Sequence, residues 1–434
     1  MGKQHANKGR MAPDTSSPTP TLVDDHFRLL NFDDSTPYLT SSLLRWDAFH
    51  FTHIAREGYV YEHEWAFSPG LPLVMNIMGR LSHFLISLGG GPDLGWENIL
   101  LRGVGAAVAC SSTSTLYRLS FHHLNSTSLA LIASLLSLIP SSPVTIHYAA
   151  YTEPFFTYFS YKGMLACAKK QWLWATFWFA LAGAFRSNGV LLGGFLIWGL
   201  VVEPLLHGQL SIKKVAYAVF TTALTFVPFV AHQVAAYVLF CTPNDDKGQI
   251  VSTPLWCNKT IPLIYTHVQA RYWNIGFLNY WTLSQLPNFL LAAPVLTLLF
   301  TFTLTHLSHT LPTLLSILKH RLLPSYLNTQ KPASPNQTNP DPRTQPKLER
   351  PPSSPFLSSS LTPHAIHALI LSLTLLFNSH TQIALRLAAS MPLTYWAAAW
   401  LVFEKPWWGK IWVGWSVVWG AVSVVLWTVF LPPA

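Results

Sequence analysis

Carboxylates, histidines and guanidinium groups crowd into a few short stretches of an otherwise apolar chain. The densest, RWDAFHFTHIAREGYVYEHEWAFSPGLP at positions 45–72, sets Asp47, Glu62 and Glu64 among His50, His53, His63 and several aromatic rings. Such a set can perform general acid–base chemistry, and it is also what a solvated juxtamembrane loop contains. Three further charges sit at or inside apolar segments: Glu153 in YTEPFF, Arg186 in AFRSNG and Arg386 in HTQIALRLAAS. A charge at the bilayer centre costs at least ~2.5–3.5 kcal/mol, so such groups face a protein interior or a cavity. Glu153 and Arg186 could therefore pair structurally or act at a site, whereas Arg386, near the end of an apolar run, reads as a snorkelling or structural cation. The motifs of soluble enzymes are missing: no P-loop, no Gly-x-Ser-x-Gly elbow, no His-Glu-x-x-His pair and no zinc-type cysteine spacing. Asp-x-Asp, the usual metal site for a nucleotide sugar, is missing too, so the sequence points to no metal and favours a lipid-phosphate over a nucleotide-sugar donor.

The elements that must hold these residues are membrane helices. Half of the 434 residues are hydrophobic and only 10% are charged, against roughly 25% charged in a soluble domain. Mean hydropathy is +0.31. The 18 Trp and 26 Phe fit aromatic belts and helix packing, Trp172, Trp174 and Trp178 among them. The net charge of +9 comes from Lys and Arg scattered between apolar runs, which marks topology and argues against a nucleic-acid partner. A membrane crossing takes about 20 apolar residues, and runs starting near Phe67, Ile99, Ser128, Tyr151, Asn188, Val215, Asn288, His364 and Trp412, with shorter ones at Trp172–Phe185 and Met391–Phe403, predict about nine to eleven membrane helices. The fold class is an all-α polytopic membrane protein.

The segments divide as a polar N-terminus over 1–44, a loop over 45–66 on the luminal side, membrane helices over 67–240, a second luminal loop over 241–287, a helix over 288–308, a disordered cytosolic loop over 309–363 and C-terminal helices over 364–434. Pro, Ser, Thr, Asn and Gln dominate KPASPNQTNPDPRTQPKLERPPSSPF, a composition unable to bury an apolar core. Cys110 and Cys167 read as buried thiols; Cys241 and Cys257 share one loop and could pair in an oxidising lumen. That loop also carries the sequon Asn258, Lys259, Thr260, a candidate glycosylation site, unlike those at Asn125 and Asn336. Span parity between Asp47 and the 241–287 loop does not close with simple crossings, and the Pro-rich IPSSPVTIHYAAYTEP is the candidate re-entrant segment.

Taken together, RWDAFHFTHIAREGYVYEHEWAFSPGLP, AAYTEPFFTYFSYKGM, AGAFRSNGVLLGGF, RYWNIGFLNYWTLSQLPNFLLAAP and HTQIALRLAASMPLTYW resemble the GPI mannosyltransferase 2 family, in that family's order over residues 45–400. The resemblance implies a glycosyltransferase C-type fold in the endoplasmic reticulum membrane. Dolichyl phosphate mannose would be the donor, no other cofactor would be needed, and mannosyl-glucosaminyl phosphatidylinositol would be the acceptor. An α1,6-linked mannose would be added with inversion. It further implies that Asp47 of the Trp-Asp motif is the base, with Trp46 and His50 around it and Glu62, Glu64 and Glu153 as alternatives. Arg186 with Ser187 and Asn188 would receive the departing phosphate, Arg271 being the rival. Trp273, Asn274 and Gln285 would touch sugar or lipid. Family members open with a membrane helix ahead of the Trp-Asp loop, whereas residues 1–44 hold no such run; either a first exon is missing or the span near Phe67 translocates the loop. A small membrane subunit is expected as a partner. The competing functions are a polytopic transporter of lipid or solute and a non-catalytic subunit of a glycosyltransferase complex.

Overall fold

The computed structural model describes residues 38–87, 95–139, 144–242, 254–322 and 354–429, and among these the regular structure is all helical. Two short helices, α1 (Tyr38–Leu43) and α2 (Asp47–Glu57), precede a 3-10 turn at Glu62–Ala66 and the apolar α3 (Gly70–Ser87) and α4 (Trp96–Ala109). The segment 45–66 is thus folded as helix and turn rather than as an open loop. Helices α5 (Thr113–Leu124) and α6 (Thr127–Leu136) pack as a hairpin. Asn125 turns it at φ 49°, a conformation asparagine tolerates better than most residues.

A 3-10 turn at Val144–Tyr148 leads into α7 (Thr152–Ala168) and α8 (Trp172–Phe185), the most extensively packed pair. The backbone from Ala149 to Tyr151 is not helical and is buried in protein, the condition under which irregular backbone is tolerated at membrane depth. The chain continues through α9 (Gly193–Ile197), α10 (Glu203–Leu206), α11 (Ile212–Cys241), α12 (Ile264–Trp273), α13 (Leu286–Leu322), α14 (Thr362–Asn378), α15 (Ile383–Leu387), α16 (Pro392–Glu404) and α17 (Pro406–Thr428).

Among the described residues six helical stretches are long and apolar enough to cross a membrane: Trp96–Leu124, Ser187–Leu206, Ile212–Cys241, Leu283–Lys319, Ser359–Asn378 and Pro406–Thr428. Helix α11 shows why. Val219, Val227, Val230, Val234 and Val238 face outward, while Ala218, Thr221, Thr225, His232, Gln233 and Ala236 face the protein, the reverse of a water-facing amphipathic helix. Helix α16 behaves differently. Every residue from Met391 to Trp400 is buried, and the Trp396 indole donates to Ser120 Oγ at 2.7 Å.

The stretch assigned to a disordered loop from residue 309 is helical at both its ends. Leu311, Leu314, Leu315, Leu318 and Leu322 repeat at helical spacing and carry α13 through Pro312 to Leu322. Near the other end, Phe356 is buried and its carbonyl accepts from His306 Nδ1 at 3.1 Å. Residues 323–353, with the Asn336 sequon, and residues 1–37 lie outside the described residues. Cys110 and Cys167 are half-buried thiols rather than buried ones.

Candidate active site

Four helix ends converge on one polar cluster. Asp47 is the first residue of α2, next to Trp46, whose φ of 50° is a left-handed conformation unusual for so bulky a residue. The Tyr151 hydroxyl donates to the Arg45 carbonyl at 3.0 Å and so holds the start of α2 against the start of α7, where Thr152 and Glu153 occupy the first turn. Arg186 follows the last turn of α8 in extended conformation. The chain folds straight back there, because a Cβ on Gly189 would lie 2.6 Å from the Gly183 Cα; only glycine allows that crossing.

Arg386 comes from α15, which is bracketed by residues 271–288. Leu278 N–H donates to the Phe377 carbonyl at 2.7 Å and the Trp281 indole to that of Leu376 at 2.8 Å. The Tyr280 hydroxyl donates to Gln382 Oε1 at 2.7 Å, and His380 Nε2 donates to the Trp273 carbonyl at 2.9 Å.

The guanidinium of Arg386 reaches Asp47 Oδ2 at 2.8 Å and Glu153 Oε1 at 2.6 Å, and its carbon stands 5.3 Å over the Tyr151 ring. Arg186 Nη1 donates to the same Glu153 oxygen at 2.7 Å and to Thr152 Oγ1 at 3.1 Å. Two carboxylates thus face two guanidinium groups, and the formal charge of the cluster is zero. Burial separates the carboxylates: Glu153 is 2% exposed and Asp47 30%. Glu153 is saturated by cations and sealed; Asp47 opens outward.

A second cluster lies beside the first. Glu64 is fully buried, with Oε2 accepting from the Val60 and Tyr61 backbones at 2.9 and 3.0 Å and Oε1 bonded to His53 Nδ1 at 2.5 Å. Its contacts close the turn between α2 and the 3-10 segment. Glu62 accepts from the Tyr272 hydroxyl at 2.9 Å, with His267 at 3.5 Å and Arg271 at 3.9 Å. Burial, reinforced by the Glu62 charge, pushes the Tyr272 hydroxyl up to about 12. His50 stacks on Phe67 with ring centroids 5.0 Å apart and meets His63 edge-on at 5.2 Å. Burial lowers both imidazoles to about 4, a shift opposed at His50 by Asp47; both are neutral at physiological pH.

The 241–287 segment is fastened to this face. Cys241 and Cys257 form a disulfide, and Trp65 packs in one apolar cluster with Phe240, Trp256, Ile264 and Val268. Asp47 and the disulfide segment therefore share one side of the bundle, which span counting left open.

Of the residues singled out from the sequence, Glu153 and Arg186 meet directly and Asp47 is joined to them through Arg386, with Trp46 and His50 beside Asp47. Asn188 lies in the 3-10 turn after Arg186, its amide nitrogen buried without a partner. Ser187 Oγ is engaged with the Tyr265 hydroxyl at 2.8 Å. The polar contacts of Arg271 are with Glu62; Asn274 caps α12 at φ 51° and its side chain accepts from Asn279; Gln285 accepts from Asn288. These three brace the loop. Arg386, read from the sequence as a snorkelling or structural cation, is paired with both Asp47 and Glu153 at the centre of the cluster. Its signal was isolation: no other Lys, Arg, Asp or Glu lies between Arg350 and Glu404.

A multi-pass helical membrane protein with ionisable groups gathered at one end of the bundle has the layout of an enzyme working on membrane-borne substrates. The comparisons make this specific. The family model described as "Mannosyltransferase (PIG-V)" matches residues 20–434, and the chain belongs to that family of mannosyltransferases. It is 33% identical over 430 residues to the GPI mannosyltransferase 2 of Cryptococcus neoformans var. neoformans, covering 93% of this chain and 92% of the relative. To the GPI alpha-1,6-mannosyltransferase 2 of Homo sapiens it is 32% identical over 403 residues, covering 85% and 74%. To that of Rattus norvegicus it is 32% identical over 405 residues, covering 86% and 76%. No solved structure matches the chain.

Proposed function

We propose that this membrane mannosyltransferase adds the second mannose, α1,6-linked, to the GPI-anchor precursor in the lumen of the endoplasmic reticulum, from dolichyl phosphate mannose to mannosyl-glucosaminyl phosphatidylinositol. The relatives named GPI mannosyltransferase 2 and GPI alpha-1,6-mannosyltransferase 2 support the pathway and the linkage. The residue roles rest on one observation: of the carboxylates gathered here, Asp47 has the most exposed side chain, and it holds the Arg386 guanidinium that also binds the sealed Glu153.

In this reading Asp47 takes the proton of the acceptor's 6-hydroxyl as that oxygen bonds to the mannose C1. The bond from C1 to the phosphate oxygen breaks, its electron pair leaves with dolichyl phosphate, and the configuration inverts in one displacement without a covalent enzyme intermediate. Arg186, with the amide of Asn188 beside it, meets the phosphate charge. Guanidinium groups take the place of a metal, so transfer is expected to persist in chelator. Glu153 serves as their anchor, and Glu64 as a turn lock.

Three features support a luminal site. A disulfide on the same face suits an oxidising compartment, and Asn258 is exposed beside it. The opposite ends of α7, α8 and α11 carry Lys169, Lys170, Lys213 and Lys214, the pattern of a cytosolic face. The reading includes a small membrane subunit, which should co-purify with the tagged chain in mild detergent.

The test is complementation of cells lacking the second GPI mannosyltransferase, with GPI intermediates read by mass spectrometry. The chain should clear the one-mannose precursor, and Asp47→Ala should lose about 10²–10⁴-fold in turnover, the usual contribution of a general base. Normal clearance by Asp47→Ala, with loss in Glu64→Ala or Glu153→Ala at equal expression, would overturn the assignment of the base. A chain that binds dolichyl phosphate mannose without consuming it would point instead to a transporter or a non-catalytic subunit.

A further inference from the structure

The cation that stabilises a leaving phosphate would be expected to stand free to receive it. Arg386 does not: one guanidinium is shared between the half-exposed Asp47 and the sealed Glu153, at 2.8 and 2.6 Å. A carboxylate in such a contact has one oxygen occupied by the guanidinium, which an incoming hydroxyl would have to displace. Glu153 is held doubly, by Arg186 as well, and is 2% exposed; the Asp47 contact is the more exposed of the two and so the weaker tie. A phosphate brought beside Arg186 would add negative charge to a neutral cluster, and Asp47 and the phosphate would then compete for the same N–H group.

We infer that Arg386 is a pivot. Anchored by Glu153 and by the face of Tyr151, it holds Asp47 idle until donor binds. It turns its outer N–H toward the donor phosphate when the lipid arrives, freeing the carboxylate for the acceptor hydroxyl. Donor binding and base release become one event, and the carboxylate is free only when a donor is present. The inference rests on Asp47 as base and a lipid phosphate as leaving group, and it adds Arg386 as the positioning residue that couples them. Binding at the two positions is reciprocal, since a gain at one is a loss at the other.

Reciprocity gives a readout that a merely structural ion pair would not move. Dolichyl phosphate, the product, is titrated against the purified chain in nanodiscs, and transfer is measured in parallel. Asp47→Asn removes the competitor, so it should bind dolichyl phosphate about 3- to 10-fold more tightly while transfer is lost; Arg386→Gln should bind about tenfold more weakly, and Arg386→Lys in between. Unchanged affinity in Asp47→Asn, with transfer lost, would overturn the pivot and leave the base in place. Wild-type transfer by Asp47→Asn would overturn Asp47 as the base, and the pivot with it. Weaker binding by Arg386→Gln alone would reduce Arg386 to an ordinary phosphate ligand and also overturn the pivot. Because Asp47→Asn by itself decides the coupling, the test survives an Arg386 variant that fails to fold.

Discussion

Asp47 and Glu64 belong to one short segment and the same face of the molecule, yet their surroundings give them opposite characters. Asp47 starts a helix, looks outward and meets a guanidinium from the far end of the chain; Glu64 faces inward and spends its oxygens on two backbone amides and an imidazole within its own turn. The cluster around Asp47 is assembled from α2, α7, α8 and α15. The cluster around Glu64 is mostly local, tied outward through Glu62 and the disulfide segment and through the bond from His232 of α11 to the Trp65 carbonyl. Long-range assembly builds a site that folding must complete before any chemistry is possible, whereas local assembly builds the platform it stands on.

The sharpest way to press on this contrast is Glu153→Gln. It leaves two guanidinium groups facing one carboxylate, and loss of one partner from a buried pair costs about 3–5 kcal/mol; the thermal midpoint in detergent should fall steeply and transfer should disappear with it. Next comes Cys257→Ser, which opens the link to Cys241 and should cost about 3 kcal/mol for a loop of this length. Here the folded fraction should still transfer mannose, since the disulfide touches no member of the Asp47 cluster. Glu64→Gln should be mildest, about 1–3 kcal/mol for a weakened buried network, with the donor KM unchanged per folded molecule. A Glu64→Gln protein that is stable but inactive would break the comparison and move Glu64 from platform to site.

The sequence made the first half of this picture legible. Apolar run lengths gave the fold class, and charged residues in apolar surroundings flagged Glu153 and Arg186, because membrane burial of charge demands a reason. The pairing of Cys241 with Cys257 was readable as a possibility from their shared loop. The role of Arg386 was not, because run length alone cannot tell a cation at a helix end facing headgroups from one at a helix end facing a cavity. The distinction lies in α15 being braced by Tyr280, Trp281 and Trp273, contacts made across a long separation in the chain. Helix α13 past Pro312 was missed for another reason: the polar composition of KPASPNQTNPDPRTQPKLERPPSSPF was extended back to residue 309, over leucines that continue the helix.

The burial of α16 carries a consequence of its own. At 1.5 Å per residue its 13 residues reach roughly 20 Å, well short of a ~30 Å hydrocarbon core. No lipid touches its buried length, so it owes nothing to bilayer thickness. Helices such as α11 and α17 can tilt as the membrane thins or thickens, while the short connection from α16 to Arg386 stays in the frame of the protein interior. The outer helices act as a suspension, and the guanidinium rides on a chassis that the membrane does not steer.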